Sequence, residues 1–247
     1  MTALPTRRQE DWRYSDIAAV ARAWPVAPET IAVAAGESAN RMVVQDAAPG
    51  SASIRHFDVT VAPGASLVFH IINSGGAYGR VALDVTLHKG ARFELGGIII
   101  ASGEQVLEIV TTVRHAAPGA TSNQVVRCVA GGTATTTYLG KVAVERAGQQ
   151  TDAAQSFKAL LLDRGATANA KPELEIFADD VKCAHGATVG ELDANALFYL
   201  QSRGLPPAQA RALLTRAFLS DALASIADEG EREAAEVQVT ALLEIAL

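Results

Sequence analysis

The chain has 247 residues, of which 49% are apolar, so it can bury the core of one large domain or two modest ones. Its formal net charge of -6, with both signs mixed along the sequence, offers no basic stripe for a phosphate backbone, so nucleic acid is not an expected partner. Two cysteines, an N-terminus without an apolar export segment and apolar runs too short to cross a bilayer predict a cytoplasmic protein that does not contact the membrane.

An N-terminal helical segment is predicted over residues 1–28. A short helix is expected over residues 8–23, and two prolines, Pro25 and Pro28, mark the exit from it. Three aromatic residues are expected to anchor this segment: Trp12, Tyr14 and Trp24.

Residues 29–190 are predicted to form a core of β-strands. A tripeptide of glycine, alanine and a polar residue recurs there with spacings of 26, 29, 46 and 21 residues, and we interpret the spacing of 46 as two turns of 23. Extended apolar runs flank the copies, so each copy is expected to be a glycine turn between two strands. The copies begin at Gly64, Gly90, Gly119, Gly165 and Gly186. A recurring unit of this size predicts a solenoid.

Strand periodicity supports this interpretation. Large apolar residues occupy every second position over residues 81–88, and helical periodicity is absent over roughly residues 30–190. The Asn-Gly and Asp-Gly pairs that are typical of tight hairpins are not found between the strands. A β-solenoid, in which each strand pairs with the equivalent strand one turn away, is therefore favoured. A β-sandwich with coincidental Gly-Ala turns is the alternative.

The pattern becomes helical in residues 191–247, which are predicted to form a C-terminal helical domain. Asp193 can cap the first helix, and Gly204 with the proline pair that follows ends this helix and begins the second. A third helix is expected over residues 231–247. We expect the three helices to form a small bundle that closes the open end of the solenoid.

Cys183 and His185 are the strongest candidates for chemistry. A thiolate and an imidazole are ligands that iron accepts, and positions i and i+2 of a strand point to the same side, so both could bind one metal ion. In the alternative interpretation, Cys183 is an ordinary buried small residue and His185 is a hydrogen-bonded turn residue. One such pair cannot supply the four ligands of an iron–sulfur centre, which predicts a site completed at an interface or by small thiols.

The remaining cysteine and histidines are expected to have structural roles. Cys128 has the neighbours of a core strand, and His115, which precedes a turn, is expected to be a structural residue or a support for a ligand. Outward strand positions with no special task are expected for three histidines: His56, His70 and His88. Asp180 and Lys182 are expected to form a surface ion pair, which we favour over a hydrolytic pair of carboxylates from Asp179 and Asp180.

The segment around Cys183 and His185 also carries a resemblance to a known family. Residues 171–190 read KPELEIFADDVKCAHGATVG, and this stretch resembles the SufD family of iron–sulfur cluster assembly proteins. Further matching positions are Glu10 to Ser15, Arg114-His115, Pro118, Thr121-Ser122-Asn123, Thr151-Asp152-Ala153, Leu192-Asp193, Ala196 to Leu200 and Ser202-Arg203-Gly204. The resemblance implies a mainly β protein, a right-handed parallel β-helix flanked by helices, that acts as a scaffold without enzymatic turnover.

The resemblance also implies partners and a transient cargo. SufB is expected to form a heterodimer through the β-helix, and a homodimer is an open alternative. The chain has no P-loop, so the SufC ATPase is expected to supply ATP hydrolysis and to dock on the C-terminal helices. Candidate partner-binding residues on these helices are Phe198, Tyr199, Arg203, Arg211 and Phe218. At the SufB contact, His185 is implied to hold a nascent iron–sulfur cluster together with a SufB cysteine, with Cys183 beside it. No cofactor is expected to stay tightly bound to the isolated chain.

Two other functions are kept as alternatives. A SufB-type scaffold would share the fold and the interface, but it is expected to carry glutamates beside the histidine and additional cysteines, whereas Ala184 and Gly186 flank His185 here. A β-helix enzyme acting on polysaccharide would display clustered acidic residues and work outside the cell, and the sequence shows neither clustered acids nor an export signal.

Overall fold

A computed structural model describes residues 3–246 and shows two six-stranded β-sheets with helices before and after them. The strands are β1 (Glu29–Val33), β2 (Ser38–Ala47), β3 (Ala52–Val61), β4 (Ser66–Gly75), β5 (Tyr78–Leu87), β6 (Arg92–Ala101), β7 (Val106–His115), β8 (Thr121–Ala130), β9 (Thr135–Val144), β10 (Thr151–Leu161), β11 (Thr167–Ile176) and β12 (Val181–Gly190). The helices are α1 (Ile17–Ala23), α2 (Ala194–Ser202), α3 (Pro207–Ser220) and α4 (Glu229–Ala246), with short 3₁₀ helices at Glu10–Trp12 and Asp221–Leu223. Met1, Thr2 and Leu247, which belong to the predicted terminal segments, lie outside the described residues. Within residues 3–246, no helix combines the length and the apolar character needed to span a membrane.

The strands alternate between the two sheets along the chain. Odd-numbered strands form one sheet, the odd sheet, and even-numbered strands form the other, the even sheet. Each strand pairs in parallel with the strand two positions along the chain, as β10 does with β8 and β12. One odd and one even strand therefore make one coil, and six coils stack into a parallel β-helix. The predicted solenoid is confirmed, and the alternative of a sandwich of antiparallel sheets is wrong.

Glycines occupy one corner of successive coils. Gly64, Gly90 and Gly119 lie between an odd strand and the following even strand, with φ of 68°, 63° and 69°. The backbone N–H of Gly64 donates to the carbonyl of Lys89 at 2.9 Å, and the N–H of Gly90 donates to the carbonyl of Pro118 at 3.0 Å. The corner thus needs a left-handed conformation that glycine adopts without strain, which explains three of the five Gly-Ala copies.

The other two copies do not mark this corner. Gly165 precedes β11, an odd strand, so the 46 residues from Gly119 cover three strands, or one and a half coils, and not the two turns that we predicted. Gly186 lies inside β12, and a glycine turn at this position is therefore a wrong prediction. Pairing with β10 continues through Gly186 and holds it extended, which overrides the turn preference of glycine.

The interior of the coils is a stack of apolar side chains. Phe57 and Phe69 face each other across the coil with ring centroids 5.4 Å apart, and the rings of Tyr138 and Phe157 stack at the same centroid distance nearer the last coil. Other buried members of this core include Leu67, Leu83, Phe93, Leu95 and Ile109. The inward side chains fix the register of the coils, because each one lies beside its counterparts in the neighbouring coils.

The C-terminal helices lie along the outer face of the even sheet and do not close the end of the solenoid, contrary to our prediction. Leu219, Leu223 and Leu242 are buried against outward apolar residues of β4 and β6. These residues are Ile72, Ile98 and Ile100. Arg127 of β8 fixes the attachment by donating to Asp221 Oδ2 at 2.7 Å. The helices cover this face because its large apolar side chains would otherwise contact water.

The N-terminal segment, residues 3–28, lies against the outer face of the odd sheet. The predicted helix over residues 8–23 is present as two pieces, the first 3₁₀ helix and α1, and Asp16 caps α1 by accepting from the backbone N–H groups of Ala18 and Ala19. Two of the predicted aromatic anchors, Trp12 and Trp24, contact each other edge to face with ring centroids 5.6 Å apart. Tyr14, the third, is exposed.

Candidate functional site: the open coil

The last coil, which consists of β11 and β12 and is here called the open coil, ends both sheets. Each of its strands has a hydrogen-bonded neighbour on one side only, β9 for β11 and β10 for β12. Nearly all side chains of β12 are exposed or half-buried. An unpaired strand edge presents free backbone N–H and C=O groups, so the open coil, like the first coil of β1 and β2 at the other end, can bind another chain.

Cys183 and His185 lie on β12 and face the mouth of the solenoid. Cys183 is in register with Ala153 of β10, and His185 is in register with Gln155. Ala153 and Gln155 are both buried and point into the coil. Because paired residues of stacked parallel strands point the same way, Cys183 and His185 point to the interior side, and no further coil among residues 3–246 covers them. The imidazole is therefore exposed at the mouth.

The thiol of Cys183 is half-buried and has a mainly apolar environment. It packs against a small buried apolar cluster that includes Val142, Ala153 and Ala178. Burial raises the pKa of Cys183 above its ordinary value, and the nearby carboxylate of Asp152 raises it further. The thiolate is thus disfavoured in the isolated chain, and a positively charged metal centre would have to stabilise it.

The open coil supplies one imidazole and one thiol to a ligand. Within residues 3–246, no group of three or more histidine, cysteine, aspartate or glutamate side chains is arranged to hold a metal ion. On a strand, residues two apart are separated by about 6.6 Å, so the two side chains can reach one metal ion or two neighbouring atoms of a cluster. The arrangement can contribute part of the ligand set of a cluster, and the remaining ligands have to come from outside the described chain.

A column of polar residues that we did not predict from the sequence lies inside the coil beneath His185. Gln155 of β10 and Gln124 of β8 are in register and buried. Gln124 Oε1 accepts a hydrogen bond from Thr111 Oγ1 at 2.9 Å and another from Tyr138 Oη at 3.3 Å. The strand period could have indicated the column. Every second residue of a strand lies on the inward face, so once the register is known Gln155 is inward on β10 as Cys183 is on β12.

The other candidate residues lie elsewhere in the fold. Cys128 is fully buried in the core, and burial raises the pKa of its thiol to about 12. His115 is buried and within 2.9 Å of Ser122 Oγ. His70 points outward as predicted, but the C-terminal helices cover it, and its Nε2 lies 2.9 Å from Ser225 Oγ. None of these three residues lies on either strand of the open coil.

The ion pair that we predicted between Asp180 and Lys182 is not formed within the described residues. Asp180 lies at the corner before β12 and not on the strand. There its backbone N–H donates to Gln149 Oε1 at 3.0 Å, and its carbonyl accepts from the N–H of Gln150.

The predicted partner-binding residues are located on α2 and α3. Phe198 and Tyr199 are exposed, at 73% and 57% of their surface, and α2 has no buried residue. The guanidinium of Arg203, which follows α2, lies 5.3 Å from the ring centre of Tyr199. On α3, Arg211 donates to the carbonyl of Leu162 at 3.2 Å, and Phe218 packs against the apolar cluster beneath the helices. The two exposed aromatic side chains of α2 thus form the part of this region that is free to contact a partner.

Comparison with known proteins adds an independent finding. Residues 21–218 match the family described as "SUF system FeS cluster assembly, SufBD core domain". The iron-sulfur cluster assembly SufBD family protein slr0076 of Synechocystis sp. is 39% identical over 63% of this chain and 34% of its own length. The chloroplastic protein ABCI7 of Arabidopsis thaliana is 36% identical over 70% of this chain and 37% of its own length.

A third relative is named for one member of this group. The iron-sulfur cluster assembly protein SufD of Escherichia coli is 29% identical over 83% of this chain and 48% of its own length. The chain therefore spans between about a third and a half of the length of these curated relatives.

Proposed function

We infer the function from the premise that this chain belongs to the SufBD family of iron–sulfur cluster assembly proteins. We propose that it is a SufD-type scaffold subunit that builds nascent clusters with a SufB subunit and the SufC ATPase, and that it has no turnover of its own. The family match favours this role over the polysaccharide-acting enzyme that a β-helix alone would allow. Ala184 and Gly186 favour the SufD type, because a SufB-type chain is expected to carry glutamates beside the histidine. Two free cysteines suit a reducing cytoplasm.

The exposure of His185 on the edge strand β12 is the observation that carries this proposal. A partner can add a strand to β12 through backbone hydrogen bonds, which brings its own ligands to the mouth where the imidazole lies. The nascent cluster is the cargo of this site. His185 would ligate iron, and Cys183 beside it would contribute a second ligand once the metal stabilises its thiolate.

Replacement of His185 by Ala tests the proposed ligand. We expect the His185→Ala chain to fold, because the ring is exposed, and to lose cluster assembly, because iron loses its ligand from this subunit. The measurement is the iron and sulfide content of the complex after co-expression with SufB and SufC and anaerobic purification. His88→Ala is the matched control, since His88 lies next to β5, far along the coil stack from the open coil. Undiminished iron and sulfide in the His185→Ala complex would refute the ligand role.

The exposed aromatic side chains of α2 are the proposed contact with SufC. Phe198→Asp places a charge where an apolar contact is expected, so SufC should be lost from the purified complex while SufB is retained. Val237→Asp on α4 is the control, because Val237 is also an exposed apolar helical residue. Retention of SufC by the Phe198→Asp chain would contradict a contact on α2. The molar masses of the same complexes in solution distinguish the SufB heterodimer from a homodimer of this chain.

A further inference from the structure

We propose that Gln155 is a positioning residue for His185: its amide oxygen accepts the Nδ1–H of the imidazole and so directs Nε2 out of the mouth toward iron. The inference rests on the proposed function of His185, since it explains how the ring of that ligand is held. Its test, however, does not depend on cluster assembly.

The register of the coils places the two side chains next to each other. Gln155 of β10 pairs with His185 of β12, and both point to the interior side of the even sheet. Paired strands lie about 4.8 Å apart, so the side chains of partners in register are stacked neighbours. Gln155 is 3% exposed, and His185 is its partner in register on the strand nearer the mouth.

The amide of Gln155 has unused hydrogen-bonding capacity. Its Oε1 is buried and lacks a hydrogen-bond partner among the described residues, while its Nε2 lies toward the hydroxyl of Tyr138. A buried acceptor without a partner is costly, and few such groups occur in folded proteins. The exposed imidazole of His185, on the neighbouring strand, can donate a hydrogen bond to this acceptor after a rotation of its own side chain.

Comparison with Gln124, one coil further in, shows that the unused acceptor is particular to Gln155. Gln124 occupies the same column, but its Oε1 already accepts from Thr111 and Tyr138. Opposite Gln155 the odd sheet carries Gly140, where a Cβ would overlap both Gln155 Nε2 and the hydroxyl of Tyr138. The missing side chain at Gly140 leaves the space in which the Gln155 amide lies.

Ligand chemistry explains why an acceptor at this place matters. A histidine that binds a metal through one ring nitrogen usually donates the N–H of the other to a fixed acceptor, which sets the tautomer and the orientation of the ring. Nδ1 is the ring nitrogen closer to the strand, and Nε2 is the one farther out. A hydrogen bond from Nδ1 to Gln155 therefore leaves the lone pair of Nε2 directed away from the coil.

The tautomer of His185 tests the proposal directly. The full chain is labelled with ¹⁵N-histidine, and the ring nitrogens are observed by long-range ¹H–¹⁵N spectroscopy about two pH units above the ordinary histidine pKa. The His185 signals are identified by their loss in His185→Ala. We expect the Nδ1–H tautomer to dominate in the unmodified chain. In Gln155→Met, which keeps the length and removes the acceptor, the ratio of Nδ1–H to Nε2–H should fall about two- to tenfold, the effect of one hydrogen bond.

Matched variants separate positioning from a general effect on the fold. Gln124→Met removes the same amide one coil further in and should leave the tautomer of His185 unchanged, while Gln155→Glu retains an oxygen acceptor and should preserve it. The signals of buried His115, which lies beside Ser122, report whether the interior of the coil is intact in each variant.

Two results would overturn the proposal: an unmodified chain in which His185 is mainly the Nε2–H tautomer or interconverts freely, or an unchanged ratio in Gln155→Met. The first is decisive even if Gln155→Met does not fold. A fixed Nδ1–H tautomer with normal cluster content in His185→Ala would refute the proposed function alone. An absent preference for the Nδ1–H tautomer, together with lost cluster content in His185→Ala, would refute the positioning alone.

Discussion

At the scale of single residues, burial separates two histidines that belong to the fold from His185, the histidine that we propose as a ligand. His70 lies under the C-terminal helices and His115 inside the coil, and desolvation lowers the pKa of each to about 4. Arg41 and Glu231 border the groove beside His70, and Ser225 lies within hydrogen-bond distance of its ring. Both buried rings are thus neutral over most of the pH range, whereas His185 is exposed at the mouth.

Acid should destabilise the protein through these two buried histidines. Each has a folded pKa near 4 and an ordinary value of 6.5, so the unfolded chain takes up a proton that the folded chain refuses between these pH values. The stabilisation is complete above about pH 6.5, falls as the pH is lowered, and is lost by about pH 4, at up to about 3 kcal/mol for each histidine. Urea unfolding from pH 7.5 to 4 measures it. His70→Gln and His115→Gln should each flatten the pH profile, and an unaltered profile in the double variant would show that other groups are responsible.

At the scale of elements, a buried ion pair ties the N-terminal segment to the odd sheet. Arg80 Nη1 donates to Glu108 Oε2 at 2.6 Å, and both side chains are almost completely buried. Ser15 and Tyr78 donate to the same carboxylate oxygen, at 2.9 and 3.2 Å. The ring of Trp12 covers the guanidinium at 3.9 Å. One carboxylate therefore connects β5 and β7 to the chain that crosses them.

Removal of one charge of this pair should cost more than removal of both. Glu108→Gln leaves Arg80 buried without a counter-charge, and we expect a loss of about 3–5 kcal/mol in the free energy of unfolding. In Arg80→Met/Glu108→Gln the buried charge is gone, so much of that loss should be recovered. Denaturant unfolding of the two variants is the measurement. A double variant that is less stable than the single one would show that the arginine stabilises the fold through packing against Trp12 and not through its charge.

The C-terminal helices show why their existence could be predicted but not their place. Asp193 caps α2 as expected, with its carboxylate accepting from the N–H groups of Asn195 and Ala196. Their docking face depends on β6, where Ile99 points into the coil while Ile98 and Ile100 point outward. A run of three isoleucines predicts only a buried strand, so the local sequence does not indicate that helices pack against the outer side of β6.

At the scale of the whole molecule, the coil stack should be least stable at the open coil. Strand β12 has one hydrogen-bonded neighbour and no buried side chain, whereas β6 lies between β4 and β8. Local opening costs little where few contacts are lost, so backbone amides in residues 181–190 should exchange with solvent at least about tenfold faster than those in residues 92–101. Hydrogen exchange followed by mass spectrometry tests this. Equal protection of the two strands would mean that the edge is held by something other than strand pairing.

The solenoid itself was predictable from sequence, and its register was not. Gly64, Gly90 and Gly119 mark real corners, because each corner needs a left-handed backbone conformation that glycine adopts without strain. The pairing of Gln155 with His185 depends on the length of every corner between them, and those lengths vary along the chain. Cys183 and His185 could therefore be singled out by their chemistry, while the buried amide beneath them could not, because glutamine is not a recognisable ligand and its neighbour is set by the stacking of coils.

The column of corner hydrogen bonds has a direction, and its last link is different from the others. Each corner amide donates forward to a carbonyl of the next coil, as Gly119 does to Gln149 and Gln150 to Asp180. At Asp180 the column ends, because the N–H of Asp180 donates to the side chain of Gln149 in the preceding coil. The N–H that would continue the column is thus already bound, whereas β11 and β12 beside it each have an edge without a neighbouring strand. A chain that docks here gains hydrogen bonds along β11 and β12 and none at the corner, so the contact should follow two parallel rims and leave the bend between them in water.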